Sequence, residues 1–129
     1  MKYIYSFSIA SFKQEEDYIL ERRKTKADMT CYSNSIYPFI IFTWKKLHTI
    51  EFENITIICG GNGCGKSTLL NIIAEKLGVM RRSPFNYTPY YEDYLKLCSA
   101  ELTFGRRLPE TSRIITSDDV FDFLLDIRS

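Results

Sequence analysis

Hydrophobic and polar positions change period several times along the chain, and each change marks an expected element. From Lys2 to Ala10 the aromatic residues Tyr3, Tyr5 and Phe7 alternate with Lys2, Ile4, Ser6 and Ser8. That period of two predicts a first strand with some apolar character on both faces. Ser11 and Gln14 stand at capping-box spacing before Glu15–Lys24, a stretch acidic early and basic late, as the helix dipole favours. Ala27–Ser35 is polar without a period and reads as a loop. Ile50 and Phe52 then alternate with Glu51 and Glu53, which predicts a half-buried strand, followed by a hairpin turn at Asn54. Ile55, Ile57, Ile58 and Cys59 form a short apolar run expected to be a buried strand. Leu69, Leu70, Ile72, Ile73 and Leu77 recur at helical spacing, and Gly78 sits where such a helix would stop. After a loop with two prolines, Thr88–Pro89 makes a good helix start, and Tyr91, Tyr94, Leu95, Cys98 and Leu102 share one helical face. Gly105–Glu110 reads as a turn and Arg113–Thr116 as a short strand. Ser117–Asp118–Asp119 opens a last helix carrying Val120, Phe121, Leu124 and Ile127. Strands and helices in this order predict an α/β fold: a mainly parallel sheet with flanking helices and an antiparallel element on its N-terminal side, in a single domain over 1–129.

Composition narrows the picture only a little. The chain has 129 residues, 45% of them hydrophobic, which suits one small packed domain and argues against disorder. Lys plus Arg number 17 against 16 for Asp plus Glu, so net charge does not indicate nucleic acid or an anionic membrane as a partner. Cys31, Cys59, Cys64 and Cys98 include no C-x-x-C pair and no zinc spacing, and read as reduced thiols in a cytoplasm. No apolar run approaches the roughly 18 residues of a membrane-spanning helix. The N-terminal stretch alternates and lacks a small-residue cleavage site, so it does not read as a signal peptide.

The chemistry concentrates between the expected strand at Ile55–Cys59 and the expected helix after it. Gly60–Ser67 satisfies G-x-x-x-x-G-K-S/T, the P-loop or Walker A pattern. A loop rich in glycine can turn successive backbone N–H groups toward one anion, and the following helix adds its free N–H groups and the positive end of its dipole. Gly60, Gly61, Asn62, Gly63, Cys64 and Gly65 would form the cradle. Lys66 would set an ammonium against the outer phosphates, Ser67 would offer its hydroxyl to Mg2+, and Thr68 would touch an inner phosphate. The expected ligand is ATP with its magnesium ion.

Gly61-Asn62-Gly63-Cys64-Gly65-Lys66-Ser67-Thr68 resembles the G-x-N-G-x-G-K-S-T form of the ATP-binding-cassette class of ATPases. With Leu47–Ile58 before it, the stretch looks like the core of a small, stand-alone bacterial AAA-type ATPase of this class. The resemblance is specific over Tyr37–Leu77 and weaker over Ser112–Arg128. It implies a P-loop NTPase-like fold, ATP hydrolysis, and a head-to-head pair in which a homodimer mate or partner subunit completes the site. It also implies an aromatic ring on adenine from upstream of the loop, for which Trp44, Phe42 and Tyr37 are candidates; core packing explains such rings as well. Several family parts have no match here. There is no Leu-Ser-Gly-Gly-like signature. Thr116–Asp119 stands where many relatives carry a metal-contacting Gln. Asp126, in a helical pattern, does not read as a strand-end carboxylate. His48, the only histidine, precedes the loop and takes no role. The chain therefore reads as the N-terminal part of such an ATPase, with the catalytic residues unassigned. Two other readings stand beside it: a truncated, non-catalytic nucleotide-binding interaction module, and a small P-loop kinase or GTPase, although no Asn-Lys-x-Asp guanine motif is present. Arg81–Arg82 with Phe85 and Tyr87 interleaves basic and aromatic residues, as single-stranded nucleic-acid sites do, but also as an ordinary surface loop would.

Overall fold

The computed structural model describes residues 3–25, 36–42, 47–60, 65–82, 84–85, 87–103 and 107–128. Its elements are β1 (Ile4–Ser8), α1 (Phe12–Thr25), β2 (Thr49–Glu51), α2 (Lys66–Leu77), α3 (Tyr91–Leu97), β3 (Ser99–Leu102) and α4 (Ser117–Arg128).

β1 is the middle strand of a three-stranded sheet ordered β2-β1-β3, antiparallel on both sides. Phe7 lies opposite Ile50 on one side and Ala100 on the other, and is wholly buried. A register irregularity between Ile4 and Ser6 separates it from Tyr5, which is exposed. The antiparallel N-terminal element expected from the alternation at Ile50 and Phe52 is therefore present. Beyond β2 the ladder continues through the Phe52 N–H, which donates to the Tyr5 carbonyl at 2.9 Å.

α1 begins where the capping box places it. The Ser11 N–H donates to Gln14 Oε1 at 2.8 Å, and the Gln14 N–H donates to Ser11 Oγ at 3.2 Å, so two orphan donors are satisfied reciprocally. α2 ends at Gly78, left-handed at φ 68°, with the Gly78 and Val79 N–H groups donating to the Glu75 and Ala74 carbonyls. This pair of bonds is the Schellman arrangement. α2 buries Leu69, Ile72, Ile73 and Ala74. Leu69, Ile72 and Ile73 join Phe7, Phe39, Phe42, Tyr91, Tyr94 and Cys98 in one core.

Three expectations need correction. The helix expected to run through Leu102 stops at Leu97, and Ser99–Leu102 forms β3 along β1. Pairing with β1, which has a free edge on that side, outweighs the helical spacing of Leu102. The buried strand expected at Ile55–Cys59 is not formed: Ile55 is 82% and Ile57 78% exposed, and Cys59 is exposed, while Ile58 is partly buried against the core. A strand of that kind needs a partner on each edge, and no described strand lies beside it. For the same reason the described sheet is antiparallel, and parallel pairing among the described residues is confined to one bridge, Met80 with Arg113. That bridge is where the strand expected at Arg113–Thr116 meets the chain leaving α2. The Ile114 N–H donates to the Met80 carbonyl at 2.9 Å, and the Met80 N–H donates to the Ser112 carbonyl at 3.0 Å.

Candidate functional site

The candidate site predicted from the glycine pattern leads into the start of α2. Gly65 is its N-cap, left-handed at φ 97°, and its carbonyl accepts the Leu69 N–H at 2.9 Å. Lys66, Ser67 and Thr68 form the first helical turn. The Lys66 amine folds back and donates to the Gly60 carbonyl, so the two ends of the glycine loop face one another. Gly61, Asn62, Gly63 and Cys64 lie outside the described residues. Ser67 is exposed and makes no hydrogen bond among the described residues, which leaves its hydroxyl available to a hard cation. No group of three His, Cys, Asp or Glu among the described residues could hold a metal by itself. An ion here would rest on Ser67 and on its ligand's phosphates, the usual pattern for Mg2+.

The turn at Ile36–Phe42 buttresses this helix start. A Cβ on Gly65 would sit 3.1 Å from Phe42 Cε1 and 3.6 Å from Ile41 Cγ2. Glycine is thus required both by φ and by the close approach of the Phe42 ring. Phe42 is buried, so of the three adenine-stacking candidates it serves the core. Tyr37 is partly buried, with its hydroxyl 2.9 Å from Thr68 Oγ1. Trp44 lies outside the described residues. The turn is held in its own right. Phe39, wholly buried, stacks on Tyr18 at 4.4 Å and meets Tyr94 edge-on at 5.0 Å. Ile40 is left-handed at φ 73°, an outlier for a β-branched residue, and its N–H donates to the buried carboxylate of Glu15 on α1 at 3.3 Å. Sequence reading missed Glu15 as a support for the site. Its neighbours Gln14 and Glu16 are also polar, and nothing in the helical pattern separates it from the solvated face.

The other candidates disperse. Asp119 closes a second capping box: its Oδ2 accepts the Thr116 N–H at 2.9 Å and the Thr116 hydroxyl at 3.1 Å, while its own N–H donates to Thr116 Oγ1 at 3.4 Å. Asp126 lies on α4, as its helical spacing predicted, and is exposed. Arg81 is committed to structure. It bonds Asn71 Oδ1 at 2.9 Å and Glu75 Oε1 at 3.2 Å, and lies over the Phe85 ring. A cavity of about 410 Å³ lies along α2, lined by Leu70, Ile73, Leu77, Phe52, Thr56 and Ile114 among others. Neither Lys66 nor Ser67 lines it. Burial pushes the Cys98 thiol up to about 12 and raises the Tyr91 and Tyr94 phenols well above their usual range. These three are inert core groups near neutral pH.

Residues 35–77, a third of the chain, match the family described as an AAA domain. The match spans the buttressing turn, β2, the glycine loop and α2. It supports an AAA-type domain and, with it, nucleotide binding of the P-loop class. No curated protein and no solved structure matches the chain. Among the described residues no helix is long and apolar enough to cross a membrane.

Proposed function

We propose that the chain binds MgATP through Gly60–Thr68, as the N-terminal part of an ABC-class, AAA-type ATPase core. One observation carries the reading: the pattern G-x-x-x-x-G-K-S/T runs straight into a helix whose first residue is Lys66, with Gly65 left-handed before it and the Lys66 amine turned back over the loop onto Gly60. In this reading the ammonium exchanges the Gly60 carbonyl for a phosphate oxygen, and the α2 N-terminus faces the anion. Ser67 would be the protein's ligand to Mg2+, which would supply positive charge against the phosphates. Four cysteines with no C-x-x-C pair and no zinc spacing fit a cytoplasmic protein.

The test is equilibrium binding of ATP with and without Mg2+, using Lys66→Ala as the control. Losing a charge-assisted hydrogen bond costs about 1.5–3 kcal/mol, so affinity should fall roughly tenfold or more. Stability should stay within about 0.5 kcal/mol, since the amine fills no core position. An unchanged dissociation constant refutes the assignment. Competition by GTP equal to that by ATP would favour the kinase or GTPase reading instead.

A further inference from the structure

The Tyr37 hydroxyl bonds Thr68 Oγ1 at 2.9 Å, a contact across 31 residues of chain at the first turn of α2. A threonine hydroxyl has one hydrogen and two lone pairs. On a helix that hydrogen commonly turns back onto a carbonyl three or four residues earlier, where it is lost to any ligand. We propose that Tyr37 is the positioning residue of the phosphate site: its phenol donates to Thr68 Oγ1, which fixes the threonine rotamer and leaves the single Thr68 hydrogen for a phosphate oxygen of the nucleotide. The inference rests on the phosphate-binding reading above and assigns Tyr37 a polar role in place of adenine stacking.

Tyr37 is built to be held still. Its carbonyl accepts the Thr88 hydroxyl from the turn before α3, and its ring leans on Tyr91 at 6.2 Å. Next along the chain, Phe39 is locked between Tyr18 and Tyr94, and the Ile40 N–H is bound by Glu15. The phenol thus reaches Thr68 from a backbone anchored to α1 and to α3 at once. A donor fixed before its ligand arrives loses little freedom on binding, which is what converts a hydrogen bond into affinity. The packing of Tyr37 and the orientation of Thr68 are separable, because phenylalanine keeps the ring and removes only the hydroxyl.

The experiment is a double-mutant cycle on the full chain, reading the MgATP dissociation constant for Tyr37→Phe, Thr68→Val and the pair. One hydrogen bond is worth about 0.5–1.5 kcal/mol, so each single variant should bind roughly twofold to tenfold more weakly. The double variant should bind no more weakly than Thr68→Val alone. Thr68→Ser, which retains a hydroxyl, should keep its dependence on Tyr37. Three results overturn the proposal. Tyr37→Phe could bind as the parent does while Lys66→Ala loses ATP; the phosphate reading then stands without Tyr37. The two losses could add in full, which would mean that the Tyr37 hydroxyl acts independently of Thr68. Or Lys66→Ala could bind as the parent does, in which case the phosphate reading falls first.

Discussion

Gly65 shows how a single position ties the site to the core. It needs φ 97°, and a side chain there would meet the Phe42 ring. A left-handed non-glycine residue costs about 1–3 kcal/mol before any clash is counted. Gly65→Ala should therefore lower the urea midpoint of unfolding by at least that equivalent, whether or not nucleotide is present. Cys98 and Cys59 should differ sharply. The Cys98 thiol is buried beside Tyr94 and pushed up to about 12, whereas Cys59 is exposed. Mass-mapped alkylation at neutral pH should label Cys59 readily and Cys98 only after unfolding. The same shift carries a pH dependence. In the unfolded chain the Cys98 thiol titrates near its usual 9.0, so its share of stability is fully present below pH 9 and is lost as the pH rises towards 12. The raised Tyr91 and Tyr94 phenols act in the same direction from about pH 10. Denaturation midpoints should be flat through neutrality and fall above pH 9; a rise there would contradict the burial of these groups.

At the scale of elements, two capping boxes, a Schellman stop and one buried carboxylate do most of the positioning. Ser11→Ala should cost about 0.5–2 kcal/mol by chemical denaturation, because the Gln14 N–H at the start of α1 loses its partner. Glu15→Ala should do more than destabilise α1. It removes the acceptor for the Ile40 N–H and so loosens the turn that packs on Gly65. The expected result is a lowered melting temperature together with weaker ATP binding, although Glu15 lies outside the phosphate loop. Unaltered binding would show that the turn holds its shape without α1. Lys76, whose amine donates to the Leu95 carbonyl at 2.8 Å, joins α2 to the end of α3 and places a cation at that helix's negative end.

Across the whole molecule, apolar surface is the unbalanced quantity. Val120, Phe121, Phe123, Leu124, Leu125 and Ile127 of α4 are each about half exposed or more, and Ile55 and Ile57 nearly fully so. Surface of this kind favours association. The purified chain should bind a hydrophobic dye while folded and sediment above monomer mass as its concentration rises, and Phe121→Ser with Ile127→Ser should reduce both effects. Turnover is the second expectation at this scale. Cleaving ATP needs a group that orients and deprotonates water as well as a cradle. Among the described acids, Asp119 is engaged in a cap and Asp126 lies exposed on α4. Phosphate release should therefore stay at the level of the Lys66→Ala blank. Steady turnover above it would reveal a catalytic carboxylate, with Asp118, Asp119 and Asp126 the first to test.

Local chemistry made part of this protein legible from its residues alone. The Ser11–Gln14 box, the stop at Gly78, the amphipathic face of α2 and the glycine pattern ending in Lys66–Ser67 depend on neighbours within a few positions, and the structure keeps the first three as expected. What needed partners distant in sequence was decided by the tertiary structure. Ser99–Leu102 continues a helical spacing yet forms a strand, because β1 offered an edge to pair with. Ile55–Cys59 has a strand's composition yet is exposed apart from Ile58, because no described strand flanks it. Glu15 and Tyr37 look like an ordinary solvated acid and an ordinary core ring. Their roles arise only where α1, the Ile36–Phe42 turn and the start of α2 meet, and a pattern of nearest neighbours carries no record of that meeting.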